Sequence, residues 1–244
     1  MESKVSVIID ELESSELSRV SKGLYLLETL LLGLVQELKN YNDGGTDSSN
    51  LQEFIKSQDN FGFNLTSYLA KLIKRDLPKN EILLLHRDLQ GLLLLHPPSK
   101  TVFKREANMS PILNLLDRRD DKIITITTIT TLIHILLKNY DNYRSFENSN
   151  GCPKLIQHLS LASVLNIDES GEIQPRSSEA SKKKGRSSLE QQLNFKIIEF
   201  LMLYMSEEVG NPHPHTIEMK ADLFRDAFPL IDLLIESLSE LDKL

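Results

Sequence analysis

Tryptophan is absent from this chain, cysteine occurs once, and glycine and proline supply only ten and nine of its 244 residues. The single cysteine, Cys152, excludes an intrachain disulfide and a cysteine metal cluster, and fits a reducing compartment. Scarce backbone breakers, in a chain dominated by leucine, favour long helices. Long apolar runs are missing too. The richest, Leu24–Val35, is interrupted by Glu28 and is too short to span a bilayer. Met1–Lys4 carries no apolar run of the kind that opens a signal peptide, so cytosol or nucleus is the expected location. Positive charge is in deficit: the net charge is -7, so neither nucleic acid nor an anionic membrane is an expected partner without a local basic patch.

The motifs of the common chemistries are also lacking. There is no phosphate-binding glycine loop, no dinucleotide fingerprint, no H-E-x-x-H zinc pair and no G-x-S-x-G elbow. A phosphatase loop needs an arginine six positions past its cysteine, and here that position holds His158. Cys152 therefore reads as a buried structural residue. His213 and His215 lie in a proline-rich stretch without a neighbouring cysteine or carboxylate, and read as a solvated loop. His134 sits on an apolar helix and reads as a core or edge residue. No catalytic residue, metal ligand or cofactor is assigned, and a small-molecule ligand is not expected.

What is present is helical periodicity. Leu17, Val20, Leu24, Leu27, Leu31, Leu34 and Leu38 alternate spacings of three and four, which places them on one face. Leu26, Leu30 and Val35 widen that face, so the helix reads as packed into a stack rather than as a coiled-coil seam. Tyr41–Asn50 reads as a loop, and Leu51–Ser57 and Leu65–Lys74 as helices. Asn80–His96 is a strong helix ended by Pro97 and Pro98. Ser99 is placed as the cap of a short helix carrying Phe103, followed by a helix at Met109–Leu116 with Pro111 in its first turn. The β-branched run 123–131 favours a strand by residue chemistry, its continuation through Leu137 favours a buried helix, and the internal repeat of the chain decides for helix. Gly151 opens a helix predicted through Leu165, Leu189–Met205 forms another, Thr216 caps a third, and Phe228–Leu241 is the last, with a kink near Pro229.

The apolar pattern repeats at 43 residues. Leu69, Ile112 and Leu155 are in register, as are Ile73, Leu116 and Leu159, and Phe103 matches Phe146. Leu83, Leu89, Leu92, Leu93 and Leu94 match Ile126, Leu132, Ile135, Leu136 and Leu137. A period of this size belongs to armadillo and HEAT repeats, so the fold class is all-α, an armadillo-like helical stack of the right-handed α-solenoid type. Residues 1–166 form its N-terminal part. Residues 167–188 are a polar, then basic, linker inside the domain, and 189–244 return as its C-terminal helices. Around Lys182–Arg186, the serines Ser177, Ser178, Ser181, Ser187 and Ser188 are candidate phosphorylation sites.

One stretch carries a resemblance. It runs Leu92–Leu95, His96-Pro97-Pro98-Ser99, Phe103, Arg105-Glu106, Asn108-Met109, Leu115-Leu116-Asp117, Asn142, Arg144, Phe146-Glu147 and Gly151, with Lys196–Leu201 further on. It resembles the fungal septation-initiation-network component called cell division control protein fourteen, which is distinct from the phosphatase of the same name. The resemblance implies an armadillo-like fold without activity of its own. It implies binding to a germinal-centre-type protein kinase, support of that kinase's activity, and cytoplasmic residence with recruitment to the spindle pole body late in mitosis to promote septation. The alternative is a helical adaptor that anchors other proteins at the pole body or cytoskeleton. His96, Ser99, Arg105, Glu106, Asn108, Asn142, Arg144 and Glu147 are the partner-binding candidates, set against a structural role at equivalent corners of successive repeats.

Overall fold

A computed structural model of the chain describes residues 1–42, 49–118, 121–160 and 184–241, the side chains of 40–42, 184–187 and 237–241 excepted. Every regular element among them is helical, and no strand occurs among the described residues. The described residues gather into two compact units, Met1–Ile112 and Leu113–Leu244. The sequence reading placed its one interruption at 167–188 and saw no boundary near 112. Most of 167–188 lies outside the described residues.

In the first unit, α1 (Glu2–Leu12) packs on α2 (Leu17–Asn42) and α4 (Leu65–Leu72), and α2 packs on α3 (Ser49–Asp59) and α5 (Lys79–Leu95). Of the period read in α2, Val20, Leu24, Leu27, Leu31 and Leu34 form its buried face, whereas Leu17 is exposed and Leu38 half-buried, and Leu26 and Val35 are exposed instead of widening that face. α1 packs closely on α2 at Gly23, where a Cβ would stand 3.1 Å from the Leu12 backbone nitrogen and push the two helices apart by a few tenths of an ångström. A 3-10 helix at Pro97–Lys104 follows α5 and packs against α4 and α5. Its cap position is His96 rather than Ser99, and Phe103 is buried beneath it. α6 (Glu106–Leu113) begins three residues before the predicted start and tightens into a 3-10 turn at Asn114–Asp117.

In the second unit, α7 (Lys122–Leu136) is the β-branched run, and the structure makes it helix. Two local devices permit this. The Asp121 carboxylate caps it, accepting from the backbone N–H groups of Ile123 and Ile124 at 3.1 and 3.3 Å. The hydroxyls of Thr125, Thr130 and Thr131 donate back to carbonyls four residues earlier, which satisfies them inside an apolar layer. α7 ends with Lys138 in the left-handed region (φ 56°), a conformation that stops a helix.

α8 (Tyr140–Asn148) and α9 (Gly151–Ile156) follow, separated by Asn150 at φ 62°. Gly151 lies against Phe146, whose ring carbons come within 2.4 Å of where a Cβ would stand, so only glycine permits this approach. α9 stops at Ile156 rather than at Leu165, and residues 161–183 lie outside the described ones. α10 (Lys184–Met205) starts five residues earlier than predicted and packs on α7. α11 (Ile217–Arg225) is capped by Thr216, as expected, and packs on α9. α12 (Ile231–Leu241) begins after Pro229, so that proline precedes the helix instead of kinking it.

Of the positions matched at 43 residues, Leu69, Ile112 and Leu155 are all buried, as are Phe103 and Phe146. His96 and Asn139, also 43 apart, both occupy helix cap positions. No helix among the described residues is long and apolar enough to cross a membrane.

Candidate functional site

The His96 corner is built from the end of α5 inward. Proline at 97 and 98 terminates the helix and turns the imidazole into the unit, where His96 is 3% exposed. Its Nε2 donates to Asp59 Oδ1 at 3.0 Å, and its Nδ1 lies 2.7 Å from Ser99 Oγ. The Ser99 oxygen accepts from Asn64 Nδ2 at 2.8 Å. Asn64 Nδ2 also donates to the Gln58 carbonyl at 2.7 Å, and the Asn64 side-chain oxygen caps α4 by accepting from the Ser67 N–H at 3.1 Å. The carboxylate–imidazole–hydroxyl order is that of a serine hydrolase, but the chemistry is not available. The Ser99 hydroxyl is buried and committed on both sides, which leaves no approach for a carbonyl substrate. The array ties α3, α4 and the 3-10 helix together. Of the other candidates here, Arg105 and Glu106 are exposed, while Asn108 donates to the Val102 carbonyl at 2.9 Å and accepts from Lys74 Nζ at 3.1 Å.

The second corner is an ion network inside the second unit. Asn142 is fully buried, and its amide donates to the Ile135 carbonyl at 2.9 Å. Arg144 Nη2 donates to Glu208 Oε1 at 2.5 Å and lies 3.2 Å from Glu147 Oε1. Lys220 Nζ stands 3.2 Å from the same Glu208 oxygen, donates to the Ser206 carbonyl at 2.8 Å, and lies 5.4 and 5.5 Å from the ring centres of Tyr143 and Tyr204. The Tyr204 hydroxyl donates to Glu147 Oε1 at 2.5 Å. Burial pulls Lys220 below its ordinary pKa, against the attraction of Glu208. Burial opposes the charge of Glu208, but the Asn211 amide, Lys220 and Arg144 outweigh it and hold that carboxyl below its ordinary range.

Cys152 sits beside this network, 1% exposed, with Sγ 3.9 Å from the Tyr204 hydroxyl. Burial pushes its thiol well above the ordinary range, the opposite of what a nucleophile needs. His213 is exposed, and His215 is partly buried with Nδ1 3.4 Å from Glu147 Oε2. Thus Asn142, Arg144 and Glu147 are brought together, but chiefly to serve the interior. Ser177, Ser178 and Ser181 lie outside the described residues, as does the Ser187 side chain. Ser188 is exposed on α10.

Two concave surfaces were not foreseen from the sequence. Both lie in the first unit. One is an apolar groove of about 450 Å³ lined by Val7, Ile8, Leu26, Leu30 and Leu34, with Gly33 leaving open space on its side of α2. The other is polar, about 430 Å³, and contains Arg105 and Asn108 together with Lys71 and Lys74. The sequence signal for the first was the surplus of leucines beyond a single face of α2. For the second there was none, because its lysines come from a segment far from Arg105.

Comparison with known proteins found no matching curated protein and no matching solved structure. The model of one family, described as cell division control protein 14, SIN component, matches residues 1–222. That span covers the whole first unit and the second as far as the middle of α11, includes both corners, and carries the name of a component of the septation initiation network. The chain belongs to the cell division control protein 14 family of septation-initiation-network components.

Proposed function

We propose that this protein is a non-catalytic scaffold that binds a germinal-centre-type protein kinase, supports its activity, and takes part in its placement at the spindle pole body to promote septation. The observation that carries this reading is the family match over residues 1–222. The all-helical construction supports it, because helical stacks of the armadillo kind bind partners along extended grooves rather than turning over substrates. The apolar groove beside α2 supplies a surface of suitable chemistry. Val7 and Leu26 are 49% and 36% exposed on it, so an amphipathic helix from the kinase's non-catalytic tail would cover apolar area now facing water. Holding that tail favours whichever kinase conformation binds best.

The test is complex formation between purified components, followed by size-exclusion chromatography. The kinase co-elutes with the chain, and Leu26→Glu with Val7→Glu weakens the complex while melting stays near wild type. Separate elution of the two proteins at micromolar concentration contradicts the proposal.

A further inference from the structure

The polar groove of the first unit has a charge at odds with the rest of the chain. It is bounded by the 3-10 turn Phe61–Phe63, by α4 and the turn after it, and by the 3-10 helix Pro97–Lys104. In a chain of net charge -7, its lining holds three cations, Lys71, Lys74 and Arg105, against one carboxylate, Asp59. That carboxylate is already bound by His96 Nε2 at 3.0 Å. Lys71 has a loose ion pair, 3.6 Å from Glu13. The nearest partner of Lys74 is the neutral side-chain oxygen of Asn108.

Arg105 stands apart from other arginines of the chain. Arg19, Arg87, Arg144 and Arg225 each hold a carboxylate. The Arg105 guanidinium has no hydrogen bond or ion pair among the described residues. Two cations without an anionic counterpart thus face one cavity that also presents the neutral polar groups of Asn64, Ser67 and Thr101.

We infer that this groove binds a phosphorylated serine or threonine within a segment of a partner protein. A phosphate dianion offers three strong acceptor oxygens, which suit a guanidinium fork flanked by lysines. A cavity of about 430 Å³ leaves room for residues on either side of the phosphate. Phe61, 81% exposed at the lining, offers an apolar contact for a neighbouring side chain. Nucleic acid and anionic membrane fit less well, because both reward an extended basic surface and this chain is acidic overall. The inference does not depend on the partner being a kinase, and its readout is separate from kinase binding.

The experiment probes a peptide array with the purified full chain, each sequence present with and without phosphate on its central threonine. Hits are then measured by fluorescence anisotropy. A subset of sequences binds only when phosphorylated, and Lys74→Ala with Arg105→Ala weakens these by on the order of tenfold at unchanged melting temperature. The charge-matched control, Lys39→Ala with Lys56→Ala, leaves binding intact. Equal binding of both peptide forms, or full binding by the Lys74 and Arg105 variant, overturns the inference. So does binding to phosphatidylinositol phosphate vesicles that depends on Arg105 in the absence of any phosphopeptide signal, which would reassign the groove to a lipid headgroup.

Discussion

Lys220 Nζ lies 3.2 Å from Glu208 Oε1 with both side chains completely removed from solvent. The two are not equally replaceable. Glu208 has further support from the charge of Arg144 and the amide of Asn211, whereas Lys220 has, beyond Glu208, the neutral Ser206 carbonyl and the faces of the Tyr143 and Tyr204 rings. Glu208→Gln leaves a buried ammonium without its counter-charge and is expected to destabilise the second unit by about 3 kcal/mol. Lys220→Met leaves Glu208 still paired with Arg144 and is expected to cost clearly less. Urea denaturation of the two variants measures the difference, and equal losses would refute this asymmetry.

His86 and Asp88, two residues apart on α5, give opposing pH dependences. Burial lowers the His86 pKa to about 4, so stability from its neutral form is lost as pH falls from about 6.5 towards 4. Burial, aided by the Glu28 charge and opposed by Arg87, raises Asp88 to about 8, and its Oδ2 is buried without a hydrogen-bond partner. Stability from the neutral acid is complete below the ordinary carboxyl range and is lost as pH rises towards 8. The two slopes cancel below about 6.5, so these groups give a net loss only between roughly 6.5 and 8. Asp88→Asn is expected to raise the melting temperature near pH 8, and to expose the His86 loss on the acid side. Melting curves across this range check both.

Gly151→Ala drives a methyl into the Phe146 ring. The expected cost is about 1–3 kcal/mol, the range for overpacking a close-packed interior. Adding Phe146→Leu should recover part of it, because the second change opens the space that the first one fills. A double-mutant cycle by chemical denaturation reads the coupling.

Cys152→Ser is expected to leave partner binding and kinase stimulation intact, with a stability loss of about 1–2 kcal/mol for placing a hydroxyl where a buried thiol packed. A thiol-alkylating reagent should label the native protein far more slowly than the unfolded one. Loss of function in a folded Cys152→Ser protein would require a thiol-dependent activity.

The helices were legible where apolar spacing was regular, as in α2 and α5, and where a cap was written plainly, as at Thr216. The β-branched run was decided by length and repeat rather than by propensity. Its actual supports, the Asp121 cap and the back-bonded threonine hydroxyls, are local contacts that a periodicity count does not see. α1 was missed because its buried set, Val5, Ile8, Ile9 and Leu12, is short and flanked by charge. At the candidate site, His96 and Asn142 stand among the partner-binding candidates of the sequence, but residue type alone does not say whether a polar side chain faces a partner or the interior. Burial assigns His96, Ser99 and Asn142 to the interior and leaves Arg105 facing a groove. Lys220 carried a readable hint, since it shares the buried face of α11 with Ala221 and Phe224 and therefore required a counter-charge.

Kinase activity measured with purified components, as a titration of the germinal-centre-type kinase with this chain, tests the central claim most directly. The account predicts a saturable rise in phosphorylation of a model substrate. The rise is lost with Leu116→Asp, which buries an unpaired charge at a fully enclosed position, and is retained with Cys152→Ser. A kinase whose activity is unchanged at saturating, folded wild-type protein would contradict it.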